Sequence, residues 1–469
     1  MLFNGNWVDR PRQMSVYDPQ DGSLIDTVPR ASNEDMVAAI EAAVAGAQRA
    51  RCMPTHQRIA LLSGAASWIE QRQEEYARTI ALEGIKTIRE ARKEASRCVD
   101  TLRISAEEAR RVTGETIPFD QRPGSEHRFG YYVREPIGII GAITPFNDPL
   151  NLVAHKVGPA LAGGNAIIVK PHSETPLSAL RLAEAFDQTG LLPRGVLQVI
   201  TGRGSEIGNQ LVTDPRVHMV SFTGGMDTGE EIAHKAGLKK LGMELGSNSP
   251  VIIMPDADID LAVTANVSGA FWAAGQNCLH VQRLLVHDAI YDLFVPRFVS
   301  RSAEYRVGDK MDEETDMGPL INEAAACRVE KMVAQALDAG ATLLTGGRRN
   351  GAFFEATVLA DVPDTCLLAR EEVYGPITVV RRFHSLDEAI TVSNSVNYGL
   401  HAGIFTRDLQ AAFRAAKELR CGGVMVNEST DYRIDAMPFG GVKGSGLGRE
   451  GIRFALQEMT EPKVVCFNL

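Results

Sequence analysis

No CxxC or CxxH pair occurs anywhere in the 469 residues, which excludes the usual spacings of a zinc site or a redox dithiol. The seven cysteines, at positions 52, 98, 278, 327, 366, 421 and 466, are odd in number and widely spread, so as a set they read as reduced thiols and no metal is expected. No apolar run reaches membrane-spanning length, and the opening MLFNGNWVDRP lacks the basic stretch and apolar core of an export signal. The expected location is cytoplasmic. Basic side chains are outnumbered, 49 to 59, for a net charge of −10. Such a surface repels nucleic acid and anionic membranes, and neither is expected as a partner. A chain this long requires two or three units. Yet no linker rich in Pro, Gly or Ser separates them, so a broad interface with a cleft between domains is expected.

What is present begins with helices. Ser32-Asn33-Glu34-Asp35 resembles a capping box, and Met36, Ile40, Val44 and Ala47 follow at helical spacing. Further helices fit Ile59–Leu82 and Glu90–Val112, so the first third reads as largely helical. The texture changes near Tyr131. Short apolar runs at 138–143, 166–169, 196–200 and 218–222 each stop at turn residues, and helical stretches such as Pro176–Thr189 and Thr228–Ala236 follow. Repeated strand-turn-helix units imply an α/β fold with a parallel sheet, whose ligands bind beyond the carboxyl ends of the strands. Asn147, Lys170 and Gly224 fall at those ends. A second α/β region follows from about Pro250, with buried strands expected at 399–405 and 422–427.

The strongest constellation is Glu244-Leu245-Gly246-Ser247-Asn248-Ser249-Pro250, with Gly275-Gln276-Asn277-Cys278 following. A thiolate attacks a carbonyl carbon far better than a hydroxyl does, and a carboxylate can deprotonate a thiol or a hydrolytic water. Glycines beside each group let the backbone approach a flat ligand closely.

With these motifs in place, the sequence resembles the aldehyde dehydrogenase superfamily over essentially its whole length. The resemblance rests on TPFNDP (144–149), VKPHSETP (169–176), FTGGMDTG (222–229), ELGSNSP (244–250), GQNC (275–278), EEVYGP (371–376) and PFGGVKGSGLGRE (438–450), in the family's order. It implies a Rossmann-like cofactor domain over 1–112 and 137–245, an α/β catalytic domain over 246–445, and a small β oligomerisation element over 113–136 and 446–469. It also implies roles. Cys278 matches the nucleophile that forms a thiohemiacetal and then a thioester, and Glu244 the base that activates water. Asn147 matches the amide that cradles the oxyanion with the Cys278 N–H, a donor of a kind worth roughly 3 kcal/mol. Lys170 matches the lysine on the adenosine ribose. Gly224, Gly225 and Gly229 match the loop and helix start beneath the pyrophosphate, and Glu372 the carboxylate on the nicotinamide ribose. Thr144, Pro145, Leu245 and Tyr374 match further cofactor contacts. Gly204, in Gly202-Arg203-Gly204-Ser205-Glu206-Ile207-Gly208, reads as auxiliary, because that run is not a true GxGxxG fingerprint.

Two departures from the family pattern bear on specificity. Counting from Lys170, the ribose-binding Glu position holds Ser173, with Glu174 displaced by one. A serine there would not repel a 2′-phosphate, so NADP is acceptable beside NAD, and the preference stays open. In the substrate tunnel, Arg97, His155 and Arg433 stand where members for greasy aldehydes carry aromatics and methionine. Arginines favour a short aldehyde with an anionic or hydroxylated far end. Here the likeness is nearest to the lactaldehyde, phosphonoacetaldehyde and non-phosphorylating glyceraldehyde-3-phosphate dehydrogenases. Asn277 and Asp148 weaken the phosphate reading, since phosphate-binding members often place Arg before the nucleophile and Tyr or His after the oxyanion Asn. The family's use of its C-terminal strand implies a homodimer or homotetramer. A CoA-acylating relative is disfavoured by the presence of Glu244, and a non-catalytic relative by Cys278.

Overall fold

A computed structural model describes the whole chain, residues 1–469. Its first sheet has eight strands, in the order Asn6–Trp7, Leu2–Phe3, Leu197–Val199, Ala166–Lys170, Ile139–Ile143, Met219–Thr223, Lys240–Glu244 and Gly446–Leu447. The five from Leu197–Val199 to Lys240–Glu244 run parallel. These runs are apolar throughout because helices cover both faces of the sheet. Helices Thr55–Glu70, Ile88–Ala109, Asn151–Ala162 and Leu177–Asp187 pack one face, while Asn33–Cys52 and Met226–Ala236 pack the other.

The second sheet has seven strands, in the order Thr342–Thr345, Thr357–Ala360, Ile377–Phe383, Val281–His287, Ser249–Ile253, His401–Phe405 and Gly423–Val426. All neighbours are parallel except the first pair. A third sheet pairs Thr460–Asn468 with Arg128–Pro136, and that strand with Glu115–Thr116. No helix is long and apolar enough to cross a membrane.

Several local expectations need correction. The first 29 residues carry four short strands ahead of any helix; two of them extend the edge of the first sheet and two form the hairpin Gln13–Tyr17 with Leu24–Pro29. The helix expected over 59–82 is two, Thr55–Glu70 and Gln73–Glu83. Ser32 does cap its helix, with Asp35 completing the box. The buried stripe, however, runs through Met36, Ala39, Ile40, Ala43, Gly46 and Ala50, and Val44 is exposed. Small residues win there because the helix lies close on a neighbouring loop: a Cβ on Gly46 would stand 2.0 Å from the Gly195 carbonyl oxygen. Within the stretch assigned to oligomerisation, residues 446–459 belong elsewhere. Gly446–Leu447 closes the first sheet beside Glu244, and the Ile452–Glu458 helix packs on helices Asn151–Ala162 and Ile88–Ala109.

Candidate active site

Register alone gathers the first half of the site. Ile143 pairs with Lys170, and Thr223 pairs with Glu244, so Thr144, Lys170, Gly224 and Glu244 all emerge at the carboxyl edge of the first sheet. The second sheet faces them with its amino ends. Cys278 stands just before the strand Val281–His287, and Glu372 just before Ile377–Phe383. Between the two edges lies a cleft of ≈ 630 Å³ lined by Thr144, Pro145, Asn147, Lys170, Ser173, Gly204, Gly224, Gly225, Glu244, Leu245, Cys278, Glu372 and Tyr374. A neighbouring cleft of ≈ 750 Å³ holds no cysteine, and its Arg381 is paired with Asp364.

The nucleophile loop is held under strain. Ala273, Ala274 and Gly275 all have positive φ, at 52°, 53° and 66°. Two alanines in that region cost roughly 1–2 kcal/mol each, and the surrounding bonds must hold them. Glu90 accepts from the Ala273 N–H at 2.9 Å, and the Gln276 side chain spans the Ala273 and Pro319 carbonyls and the Ile321 N–H. A Cβ on Gly275 would meet the Gly375 carbonyl oxygen at 2.2 Å, so glycine is required. Asn277 was expected to face the substrate. Instead its side chain donates to the Trp272 carbonyl and accepts from Leu279 N–H, which ties the turn before Cys278.

Of the two reactive groups, Glu244 is buried and Cys278 is half-buried. Burial pushes the Cys278 thiol up to about 12, opposed by the charge of Arg433 and aided by Glu372 and Glu244. Glu244 is also held well above the usual carboxylate range, first by burial and then by the negative charge of Glu450. Its Oε2 has no partner, and neither does Oδ1 of Asn147, which is buried beside the same cleft. Unsatisfied polar atoms of this kind mark a place where a reacting molecule completes the bonding. Glu450 itself is held down at about 2: burial raises it, but Lys156 at 3.0 Å and Arg433 outweigh that.

The outer cleft suits a dinucleotide. Lys170 makes no hydrogen bond or ion pair, and burial alone lowers its ammonium to about 8. A Cβ on Gly204 would stand 3.9 Å from Lys170 Nζ, and one on Gly225 would meet nothing within 4 Å, so the glycines leave the space open. Gly225 begins the Met226–Ala236 helix, whose free N–H groups favour phosphate. Glu372 accepts from Ser247 N–H at 2.9 Å, and a Cβ on Gly246 would stand 2.4 Å from its Oε2. Burial raises Glu372 to about 7. Two of the residues matched to cofactor contacts do not line the cleft. Glu174 is exposed and does not line the cleft, because the turn leaves Ser173 facing in. Gly229 lies inside the helix, where a Cβ would strike the Leu245 side chain at 2.5 Å; its smallness serves packing.

None of Arg97, Asp148, His155 or Arg433 lines this cleft; they form an ion network beyond Cys278. Arg97 binds Asp435 at 2.7 Å, and the His155 ring meets the same carboxylate at 2.8 Å. Arg433 binds Glu450 at 3.3 Å and lies over the Phe439 ring, 3.7 Å from its centroid. Asp148 pairs with Lys86, which also binds Glu94 at 2.7 Å. These side chains are ion-paired within the protein, as burial demands, with Asp435, Glu450 and Lys86 each shared between two partners. Sequence reasoning gave no role to Lys86, Lys156, Asp435 or Glu450. Only Glu450 gave a signal, as the last residue of the PFGGVKGSGLGRE motif.

A profile of the aldehyde dehydrogenase family matches residues 7–465. The chain belongs to this family, and it is an NAD(P)-dependent aldehyde dehydrogenase. It is 51% identical over 456 residues to aspartate-semialdehyde dehydrogenase 1 of Pseudomonas canavaninivorans, covering 97% of each chain. It is 44% identical over 471 residues to 3-sulfolactaldehyde dehydrogenase of Priestia megaterium, covering 100% of this chain and 98% of that one. Among solved structures it matches NADP-dependent glyceraldehyde-3-phosphate dehydrogenase from Bacillus halodurans C-125 complexed with NADP. That match has a TM-score of 0.97 and 39% identity over 100% of this chain and 98% of the other.

Proposed function

We propose that the protein oxidises a short aldehyde with an anionic or hydroxylated far end to the carboxylic acid through a covalent intermediate on Cys278. The observation that carries this reading is that Cys278, Glu244 and Asn147 line one cleft, with the charge of Arg433 acting on the thiol. Cys278, as thiolate, adds to the aldehyde carbon, and the oxygen gains the Asn147 amide as a donor. A nicotinamide bound in the cleft supplies the hydride acceptor. The acyl group left on sulfur is then hydrolysed by a water that gives a proton to Glu244, which frees the thiol. Lys170, Ser173, Gly224, Gly225 and Glu372 are the residues placed to hold the dinucleotide. The relatives named above take their names from short aldehydes bearing a carboxylate, sulfonate or phosphate, which supports a polar substrate.

The test is absorbance at 340 nm with lactaldehyde, aspartate semialdehyde, 3-sulfolactaldehyde, glyceraldehyde 3-phosphate, propanal and hexanal, under NAD+ and NADP+, with and without coenzyme A. Reduced cofactor should form without coenzyme A, fastest with a polar aldehyde. Strict dependence on coenzyme A would favour the acylating reading instead, and hexanal as the best substrate would end the polar one.

Cofactor choice turns on Ser173. Ser173→Glu would set a carboxylate where a 2′-phosphate lies, and unit charges about 4 Å apart at an effective dielectric of about 20 repel by several kcal/mol. The ratio of kcat/KM with NADP+ to that with NAD+ should fall by at least about tenfold, a change of roughly 1.4 kcal/mol. An unchanged ratio would show that Ser173 faces away from the ribose.

We also propose a homodimer or homotetramer built through the last strand. Thr460–Asn468 is an edge strand nine residues long, with Val464, Phe467 and Leu469 exposed. Such an edge invites pairing with another chain. Sedimentation at micromolar concentration should show a dimer or larger, and removal of residues 460–469 should lower that state. A full-length chain that sediments only as a monomer contradicts the proposal.

A further inference from the structure

The contacts around Arg433 fix where a proton sits. The His155 side chain is wholly buried, with its Nε2 2.8 Å from Asp435 Oδ1 and its Nδ1 3.4 Å from Arg433 Nη2. A guanidinium only donates, so Nδ1 must be the acceptor and the ring proton must lie on Nε2. The neutral ring therefore donates to Asp435 and accepts from Arg433. Burial, and then the charge of Arg433, favour that neutral form. Asp435 is anchored in turn by Arg97 at 2.7 Å and Asn151 at 3.3 Å. Arg433 is thus pinned by His155, by Glu450 and by the face of Phe439, a ring in the same apolar cluster that Cys278 packs against. Its Nε is buried and has no partner. A preoriented, desolvated donor beside the cluster that Cys278 packs against is open to an acceptor from outside the protein.

We propose that His155 and Asp435 are a positioning pair that aims the unpartnered Nε–H of Arg433 at an oxygen substituent of the aldehyde, and that this aim sets the preference for polar substrates. The inference rests on the polar-aldehyde reading above. Glu450 is shared between Lys156 and Arg433, so charge attraction persists and the aim of the donor adds a geometric preference to it. Selection then depends on geometry as well as charge. A carboxylate, sulfonate or hydroxyl oxygen qualifies, and a methyl does not.

The test compares kcat/KM for the best polar aldehyde of the panel with that for propanal. His155→Phe keeps an aromatic ring but neither donates nor accepts. The polar-to-propanal ratio should fall about tenfold, the scale of one charge-assisted hydrogen bond, through KM and not kcat. His155→Asn puts an amide oxygen near the place of Nδ1 and should recover at least part of the ratio. Asp435→Asn removes the charge that holds the Nε2 proton and should repeat the KM signature if the Phe variant fails to fold. An unchanged ratio in both the Phe and Asp435→Asn variants overturns the inference alone, as does an equal loss on both substrates or an Asn variant no better than Phe. A wild type with no preference for polar aldehydes overturns the substrate reading and the inference with it.

Discussion

Cys278→Ala should lower turnover of every aldehyde by on the order of 10⁴-fold or more, the scale seen when a covalent nucleophile is removed. No other thiol can replace it. Cys98 and Cys366 are buried in core clusters, and none of the other six lines the cleft. Cofactor binding should survive, because Lys170, Gly225 and Glu372 hold their places independently of the sulfur. Titration of NADP+ by protein fluorescence checks that point. Turnover by the alanine variant at the wild-type rate would remove Cys278 from the mechanism.

Glu244→Gln should separate the two halves of the reaction. Glutamine has nearly the same shape, so the packing against Gly440, where a Cβ would stand 2.8 Å from Glu244 Oε1, is preserved. What is lost is the ability to take a proton from water, a contribution worth roughly 10²-fold or more. Rapid mixing should show a burst of reduced cofactor, followed by a steady state slowed by about that factor. The wild type should show a much smaller burst relative to its steady rate. If both phases ran at wild-type speed, Glu244 would serve structure only. The resting state gives a physical reason for expecting sensitivity here. Burial and the neighbouring Glu450 hold Glu244 above its ordinary range, which favours its taking up a proton.

The sequence disclosed the parts of this site that depend on residue type and local order. Strands such as Ala166–Lys170 are legible because continuous Ile and Val admit only a covered parallel sheet, and Lys170 must then end one. Cys278 and Glu244 stood out only through the resemblance of ELGSNSP and GQNC to a family's motifs, since a Glu and a Cys beside glycines prove little alone. What escaped depends on distant pairing. Arg97 and Asp435 are 338 residues apart in sequence, and Lys86 and Asp148 are 62 apart, so no window shows that each charge already has its partner. The arginines could therefore be read from the sequence, and their ion pairs could not. Short strands such as Leu2–Phe3 carry too few residues to show a period, and only their pairing with Val199 and Trp7 defines them. The fate of residues 446–459 was hidden likewise, since Gly446 is set beside Glu244 by a contact across the fold.

The covalent step can be observed directly. The Glu244→Gln variant, mixed with NADP+ and the best aldehyde of the panel and quenched in acid within the burst, should gain the mass of one acyl group per chain. Peptide mapping should place that acyl group on Cys278, and hydroxylamine should remove it, as expected of a thioester. An unmodified chain at full burst amplitude, or an acyl group on any other residue, would contradict the account.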